Sequence, residues 1–172
     1  MSRVAPRTAP TRRRHLGRDP VPPDAELLKR AITGKSVMIT GAGGTIGSEL
    51  TRQILRQDPK VIVLYEISEA ALYEVETEIQ DVLARMPGGA IERARPEVVG
   101  ILGSVLDAAL LERTIRHYRV EAIYHAAAYK HVPMMEAHVF EALENNVLGT
   151  RTLARAASAS GVETFVLISS DK

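Results

Sequence analysis

Ser36-Val37-Met38-Ile39-Thr40-Gly41-Ala42-Gly43-Gly44-Thr45-Ile46-Gly47-Ser48-Glu49-Leu50 is the stretch on which the fold turns. Val37 to Ile39 is a short apolar run of the kind a buried strand shows. It breaks at a glycine cluster, after which Ile46, Leu50 and Ile54 recur at helical spacing and are expected on one inner face. Strand, glycine turn, helix is the setting in which a phosphate-binding fingerprint acquires meaning. Gly41 is expected to turn the chain sharply out of the strand, and Gly44 to let the backbone approach a pyrophosphate. Gly47 would let the helix pack closely on the sheet. The first N–H groups of the helix and its dipole would then hold the phosphates, with Gly43, Thr45 and Ile46 completing the cradle.

Spacing narrows the reading. The pattern Gly-x-Gly-x-x-Gly would need glycine at position 46, where this chain has Ile46. Glycines 41, 44 and 47 instead fit Gly-x-x-Gly-x-x-Gly, which resembles the extended short-chain dehydrogenase/reductase superfamily. Strands then alternate with helices. Asp24 is expected to cap a helix to Ile32 with Leu27, Leu28 and Ala31 inward. Strands follow at about 36–40, 60–65, 97–102, 120–124 and 162–169. Helices fall at about 45–57, 68–85 (stopped by Pro87-Gly88-Gly89), 107–118 (capped by Asp107) and 137–160 (stopped by Gly161). Alternation implies a parallel sheet, here a Rossmann-like doubly wound α/β sheet of order 3-2-1-4-5, truncated after the fifth strand. Its ligand would lie across the carboxyl ends of strands one, four and five.

Composition bounds the classes. With 172 residues and 45% hydrophobic content, the chain can bury a core, and with no cysteine it has neither disulfides nor thiolate metal sites. No metal is expected. There is no apolar run of membrane-span length and no signal-peptide core, which leads to the expectation of a cytoplasmic protein. The net charge of +1 hides an asymmetry, because residues 1–30 carry eight basic and three acidic side chains. The remainder has a net charge of about −4, whereas a nucleic-acid-binding body is normally basic, so no nucleic-acid partner is expected. Residues 1–23, rich in proline and arginine, are expected to form a disordered arm, and 24–172 the folded domain.

Glu66 ends the second strand, 19 positions after Gly47. A carboxylate there accepts hydrogen bonds from adenosine ribose hydroxyls and repels a 2′-phosphate, and residues 66–84 contain no arginine or lysine, so NAD is expected over NADP. Gly103, Ser104 and Val105 follow the third strand, where the adenine edge would rest. Ala126, Ala127 and Ala128 leave room for ribose and nicotinamide. His125 beside them reads more readily as a packed residue satisfied by backbone than as a catalytic imidazole. Lys130 and His131 read equally as residues facing substrate phosphates or the cofactor and as plain loop positions, and Met134 and Met135 read as packing. Asn145 and Asn146 sit in mid-helix, where asparagine is a poor helix former. One of them, with Asn146 favoured, is expected to bond a neighbouring active-site loop. Ser169, Ser170, Asp171 and Lys172 close the fifth strand. In a dehydratase, oxidation at a sugar's C4 acidifies the C5 proton, Lys172 can remove it, Asp171 can protonate the departing C6 hydroxyl, and Ser170 can hold the C4 hydroxyl.

These segments together resemble the CapD-like nucleoside-diphosphate-sugar 4,6-dehydratases of polysaccharide biosynthesis. The resemblance is carried by Leu16 to Val21, Thr40 to Leu50, Ser68 to Glu74, His125 to Pro133, Asn145 to Thr150 and Phe165 to Lys172. It implies a UDP-sugar substrate, typically UDP-N-acetylglucosamine, and pairing of copies through long helices such as 137–160. Family members continue past this point through a Tyr-x-x-x-Lys or Met-x-x-x-Lys element and a sugar-binding lobe, and some carry membrane helices upstream. The expectation is therefore a cofactor-binding half that cannot turn over alone, with an apolar fifth strand as an exposed edge. The competing readings are a 4-epimerase or reductase, a non-catalytic dinucleotide-binding domain, and nucleic-acid binding through the arm.

Overall fold

The computed structural model describes residues 24–85 and 95–169. The arm at 1–23, the Pro87-Gly88-Gly89 stop and Ser170-Asp171-Lys172 lie outside the described residues. The order is α1 (Ala25–Ile32), β1 (Ser36–Thr40), α2 (Thr45–Leu55), β2 (Val61–Glu66), α3 (Glu69–Arg85), β3 (Glu97–Leu102) and α4 (Ala108–His117). Then come β4 (Ala122–His125), α5 (Val132–Ala137), α6 (Val139–Ala142), a π-helical turn (Leu143–Gly149), α7 (Thr150–Ala159) and β5 (Thr164–Leu167).

All pairings are parallel and the sheet order is β3-β2-β1-β4-β5, as the alternation predicts. Alternation of side chains across the pleat explains why both faces are covered. On one face Val37, Ile39, Ile62 and Leu64 pack with Ile54 of α2 and with Leu72, Val75 and Ile79 of α3. On the other, Met38, Val63, Tyr65 and Ile123 pack with Leu111 and Ile115 of α4 and with Leu153 and Ala156 of α7. β1 is buried along its whole length because it sits mid-sheet under both layers.

Helix ends follow their capping chemistry. The Asp24 carboxylate accepts from the N–H groups of Glu26 (3.0 Å) and Leu27 (3.1 Å), and that of Asp107 from Leu110 (2.9 Å). Gly161 after α7 has φ 74°, the left-handed conformation of a glycine helix stop.

Three expectations need correction. Leu27 is 60% exposed, so α1 buries Ile32 and packs Leu28 and Ala31 without it. Ile46, expected inward with Ile54, is 45% exposed, because the first turn of α2 projects beyond the sheet. Met134 is 59% exposed rather than packed. The helix expected over 137–160 runs without interruption over 139–159 as α6, the π turn and α7, and the break at His138 (φ −129°, ψ 53°) separates it from α5, which the sequence pattern did not announce.

β5 pairs with β4 alone among the described residues, and Leu167 at its end is exposed. Among the described residues no helix is long and apolar enough to cross a membrane.

Candidate functional site

The carboxyl ends of the strands converge where the sheet order reverses, between β1 and β4. Thr40 pairs in register with Tyr65 on one side and His125 on the other, so Gly41, Glu66 and Ala126 emerge together. Ligands of doubly wound sheets bind at such a crevice.

Each glycine of the turn has a physical reason. Gly41 has φ 68°, and a Cβ there would meet the Ala127 backbone at 2.7 Å. At Gly47 a Cβ would lie 1.9 Å from the Gly41 carbonyl oxygen, so the helix seats on the turn itself rather than on the sheet face. At Gly43 it would meet the Ala71 backbone at 2.7 Å, where α3 begins. Gly44 differs: its nearest neighbour would be the Gly41 oxygen at 3.3 Å. No side chain caps α2, and Gly44, Thr45, Ile46 and Gly47 line the cleft, which leaves the first-turn N–H groups for a ligand.

The Glu66 carboxylate is buried and bound by three backbone donors. It accepts from Gly43 N–H (3.0 Å) with one oxygen, and from Ile67 (2.9 Å) and Ser68 (3.1 Å) with the other. It therefore ties the glycine turn to the start of α3 and sits at the cleft wall. Tyr65, which the sequence reading passed over, is wholly buried and donates its hydroxyl to the Ser104 carbonyl (2.8 Å). Burial pushes its phenol well above the ordinary range. Gly103 is required beside it, since a Cβ would approach the Tyr65 hydroxyl at 2.6 Å. The Ser104 hydroxyl turns to the Leu106 N–H (3.2 Å), and Gly103 and Val105 line the cleft.

His125 is 2% exposed and satisfied by hydroxyls, not by backbone as expected. Its Nδ1 lies 2.6 Å from Thr40 Oγ1 and its Nε2 2.9 Å from Thr150 Oγ1. Burial pushes the imidazole down to about 4, so it is neutral at physiological pH. Both asparagines reach the loop after β4. Asn146 accepts from Tyr129 N–H and donates to Tyr129 C=O, each at 2.9 Å, and Asn145 donates to Ala127 C=O at 3.3 Å.

The resulting cleft has a volume of about 320 Å³, at the lower end of the usual range for ligand sites. It gathers Gly41, Gly43, Gly44, Thr45, Ile46, Gly47, Glu66, Gly103, Val105, Ala126, Ala127, Ala128 and Lys130 from the sequence-predicted set. Ser104, Asn146 and Ser169 are not among the lining residues, and Ser170, Asp171 and Lys172 lie outside the described residues. Tyr65, Ile67, Ala71 and Tyr129 join the wall without having been singled out for it, Asn145 lines it where Asn146 was the favoured asparagine, and His131 joins Lys130 there. Ala71 carried no signal beyond its small size. Tyr65 was detectable only as the last aromatic of an apolar strand.

A family described as "Polysaccharide biosynthesis protein" matches residues 37–172. The chain is 40% identical over 157 residues to the capsular polysaccharide biosynthesis protein CapD of Staphylococcus aureus, covering 91% of this chain and 25% of that relative. It is 41% identical to the probable polysaccharide biosynthesis protein EpsC of Bacillus subtilis, with the same coverage. The chain thus spans about a quarter of the length of these relatives. A UDP-N-acetylglucosamine 4,6-dehydratase (inverting) of Campylobacter jejuni and a UDP-glucose 4-epimerase of Rickettsia akari each match at 28%, covering 81% and 80% of this chain and 37% of each relative. Among solved structures, DesIV, a dTDP-glucose 4,6-dehydratase of Streptomyces venezuelae with NAD and TYD bound, superposes with TM-score 0.59. It is 28% identical and covers 76% of this chain and 37% of that one.

Proposed function

The chain belongs to the polysaccharide biosynthesis protein family, and from that membership we propose that residues 24–172 are the dinucleotide-binding part of a nucleotide-sugar 4,6-dehydratase. The observation that carries the reading is the cleft at the switch point. There an uncapped helix start, a buried carboxylate and a run of alanines face one cavity. A nicotinamide dinucleotide fits this donor set. The N–H groups of Thr45, Ile46 and Gly47 would hold its pyrophosphate, Glu66 its adenosine ribose, and Gly103 and Val105 would flank the base. Ala126 to Ala128 leave space for the far ribose and ring. Bound there, the dinucleotide supplies the acceptor and donor of hydride. Glu66 favours NAD over NADP, because a 2′-phosphate beside a buried carboxylate is repelled.

For the sugar, the similarity to the Campylobacter UDP-N-acetylglucosamine 4,6-dehydratase supports UDP-N-acetylglucosamine as substrate. Elimination needs an acid and a base, and Asp171 and Lys172 are proposed for those roles, with Ser170 holding the C4 hydroxyl. The proposed location is cytoplasmic, with membrane contact only through parts outside 24–172 and pairing of copies through long helices, that over 137–160 among them. The isolated chain is proposed to bind cofactor without turnover. The 4-epimerase reading draws on the Rickettsia relative.

Two measurements test the proposal. Isothermal titration of the chain with NAD and with NADP should give tighter binding for NAD, and absence of binding by either would sink the cofactor assignment. In heavy water, a longer protein containing this segment should place deuterium at C5 of the sugar product, since elimination exchanges that proton. A C4-inverted product without deuterium would establish the epimerase instead.

A further inference from the structure

A chain of hydrogen bonds leads from the buried end of β1 to the loop over the cleft. Thr150's own N–H goes to the Val147 carbonyl, and its hydroxyl donates to the Asn146 carbonyl at 2.6 Å. A threonine hydroxyl has one proton. Having given it to Asn146, the Thr150 oxygen can only accept at its contact with His125, so Nε2 of the imidazole carries hydrogen. Nδ1 must then accept, and Thr40 donates to it (2.6 Å). Every donor along the line Thr40, His125, Thr150 and Asn146 is thereby fixed in one direction.

The line ends at function-bearing backbone. The π turn at Leu143–Gly149 replaces α-helical hydrogen bonding at the point where Asn145 and Asn146 both reach the loop after β4. Such turns are held by specific partners and often mark functional sites. Here the partner is the Thr150 hydroxyl, which takes the Asn146 carbonyl, and behind it stands His125. Gly149 permits the arrangement, since a Cβ there would meet Val105 at 2.7 Å.

We propose that Thr150 and His125 are positioning residues: the imidazole aims the Thr150 hydroxyl, the hydroxyl holds the π turn, and the turn presents Asn145 and Asn146 to the loop spanning Ala127 to Tyr129. The inference rests on the reading of that loop as the nicotinamide side of the cofactor cleft, but its structural part is measurable without cofactor. Loss of the Thr150 hydroxyl would free one hydrogen bond's worth of order in the loop, an effect of about tenfold.

The test compares T150V, which keeps shape and removes the hydroxyl, with T150S, which keeps the hydroxyl. The 172-residue chain is used throughout. The Tyr129 amide should exchange with solvent deuterium about tenfold faster in T150V than in wild type, and at the wild-type rate in T150S. NAD affinity should fall about tenfold in T150V and be restored in T150S. Unchanged exchange in a folded T150V, or equal acceleration in both variants, would overturn the proposal. A second measurement needs no variant: ¹⁵N shifts of the His125 ring should show hydrogen on Nε2 and none on Nδ1, and the opposite tautomer would overturn it. If wild type binds no NAD while T150V still loosens Tyr129, the positioning role stands and the cofactor reading falls.

Discussion

At the residue scale, two glycines of the same turn separate folding from binding. A Cβ at Gly47 would meet the Gly41 carbonyl at a distance no Cβ can occupy, whereas at Gly44 it would lie 3.3 Å from that oxygen, a tight contact that a shift of a few tenths of an ångström relieves. G47A is expected to cost about 3 kcal/mol or more, read as a lowered denaturant midpoint. G44A should lower that midpoint far less than G47A and weaken NAD binding at least about tenfold, because its methyl group enters the phosphate approach. Glu66 gives a second contrast. All three backbone donors at its carboxylate need an acceptor, and a glutamine amide offers only one oxygen. E66Q should therefore lose about 1–3 kcal/mol of stability while raising the NADP-to-NAD affinity ratio, both measurable by denaturation and calorimetry. The places of Gly41 in the turn and of Glu66 at the end of β2 were legible in the sequence from spacing alone. The clamp of Glu66 on Gly43 was not, because nothing in a linear pattern says where a carboxylate's second oxygen goes.

At the element scale, the strands and their order followed from apolar runs and punctuation, and β1 and β3 have the bounds the sequence predicts. The helix at 139–159 was foreseen too, but α5 and the π turn were not. Periodicity cannot distinguish an α-helix from one carrying a π turn, since the deciding bond, Thr150 to Asn146, is a side-chain event. The buried imidazole that braces this turn makes stability pH-dependent. Its ordinary value is 6.5 and the folded one about 4, so between these the unfolded chain binds more protons. The contribution, on the order of 3 kcal/mol, is fully present above pH 6.5. It is lost as pH falls through that window to about 4. Denaturant midpoints measured across the window should decline toward acid, and H125Q should flatten the decline.

At the scale of the whole molecule, a doubly wound sheet brings residues distant in sequence to one edge. Gly41, Glu66, Gly103 and Ala126 stand at the carboxyl ends of four different strands, yet all line one cleft. That convergence was predictable because the topology leaves one switch point, whereas Tyr65 and Ala71 entered the wall through packing that only three dimensions reveal. A ligand bound only by the folded state stabilises it, so NAD at a hundred times its dissociation constant should raise stability by about 2.7 kcal/mol. A matching rise in melting temperature is expected, and at the same NAD concentration it should fall to about half or less in G44A.

The most direct measurement is a titration of the ¹⁵N-labelled chain with NAD, followed by the amide resonance of each residue. The account predicts shifts at Gly41 to Gly47, Glu66, Ile67, Gly103 and Ala126 to Lys130, with little change at α1 or the outer face of α4. Saturable shifts confined to another surface, or none at all from a folded chain, would contradict the assignment of this cleft to a nicotinamide dinucleotide.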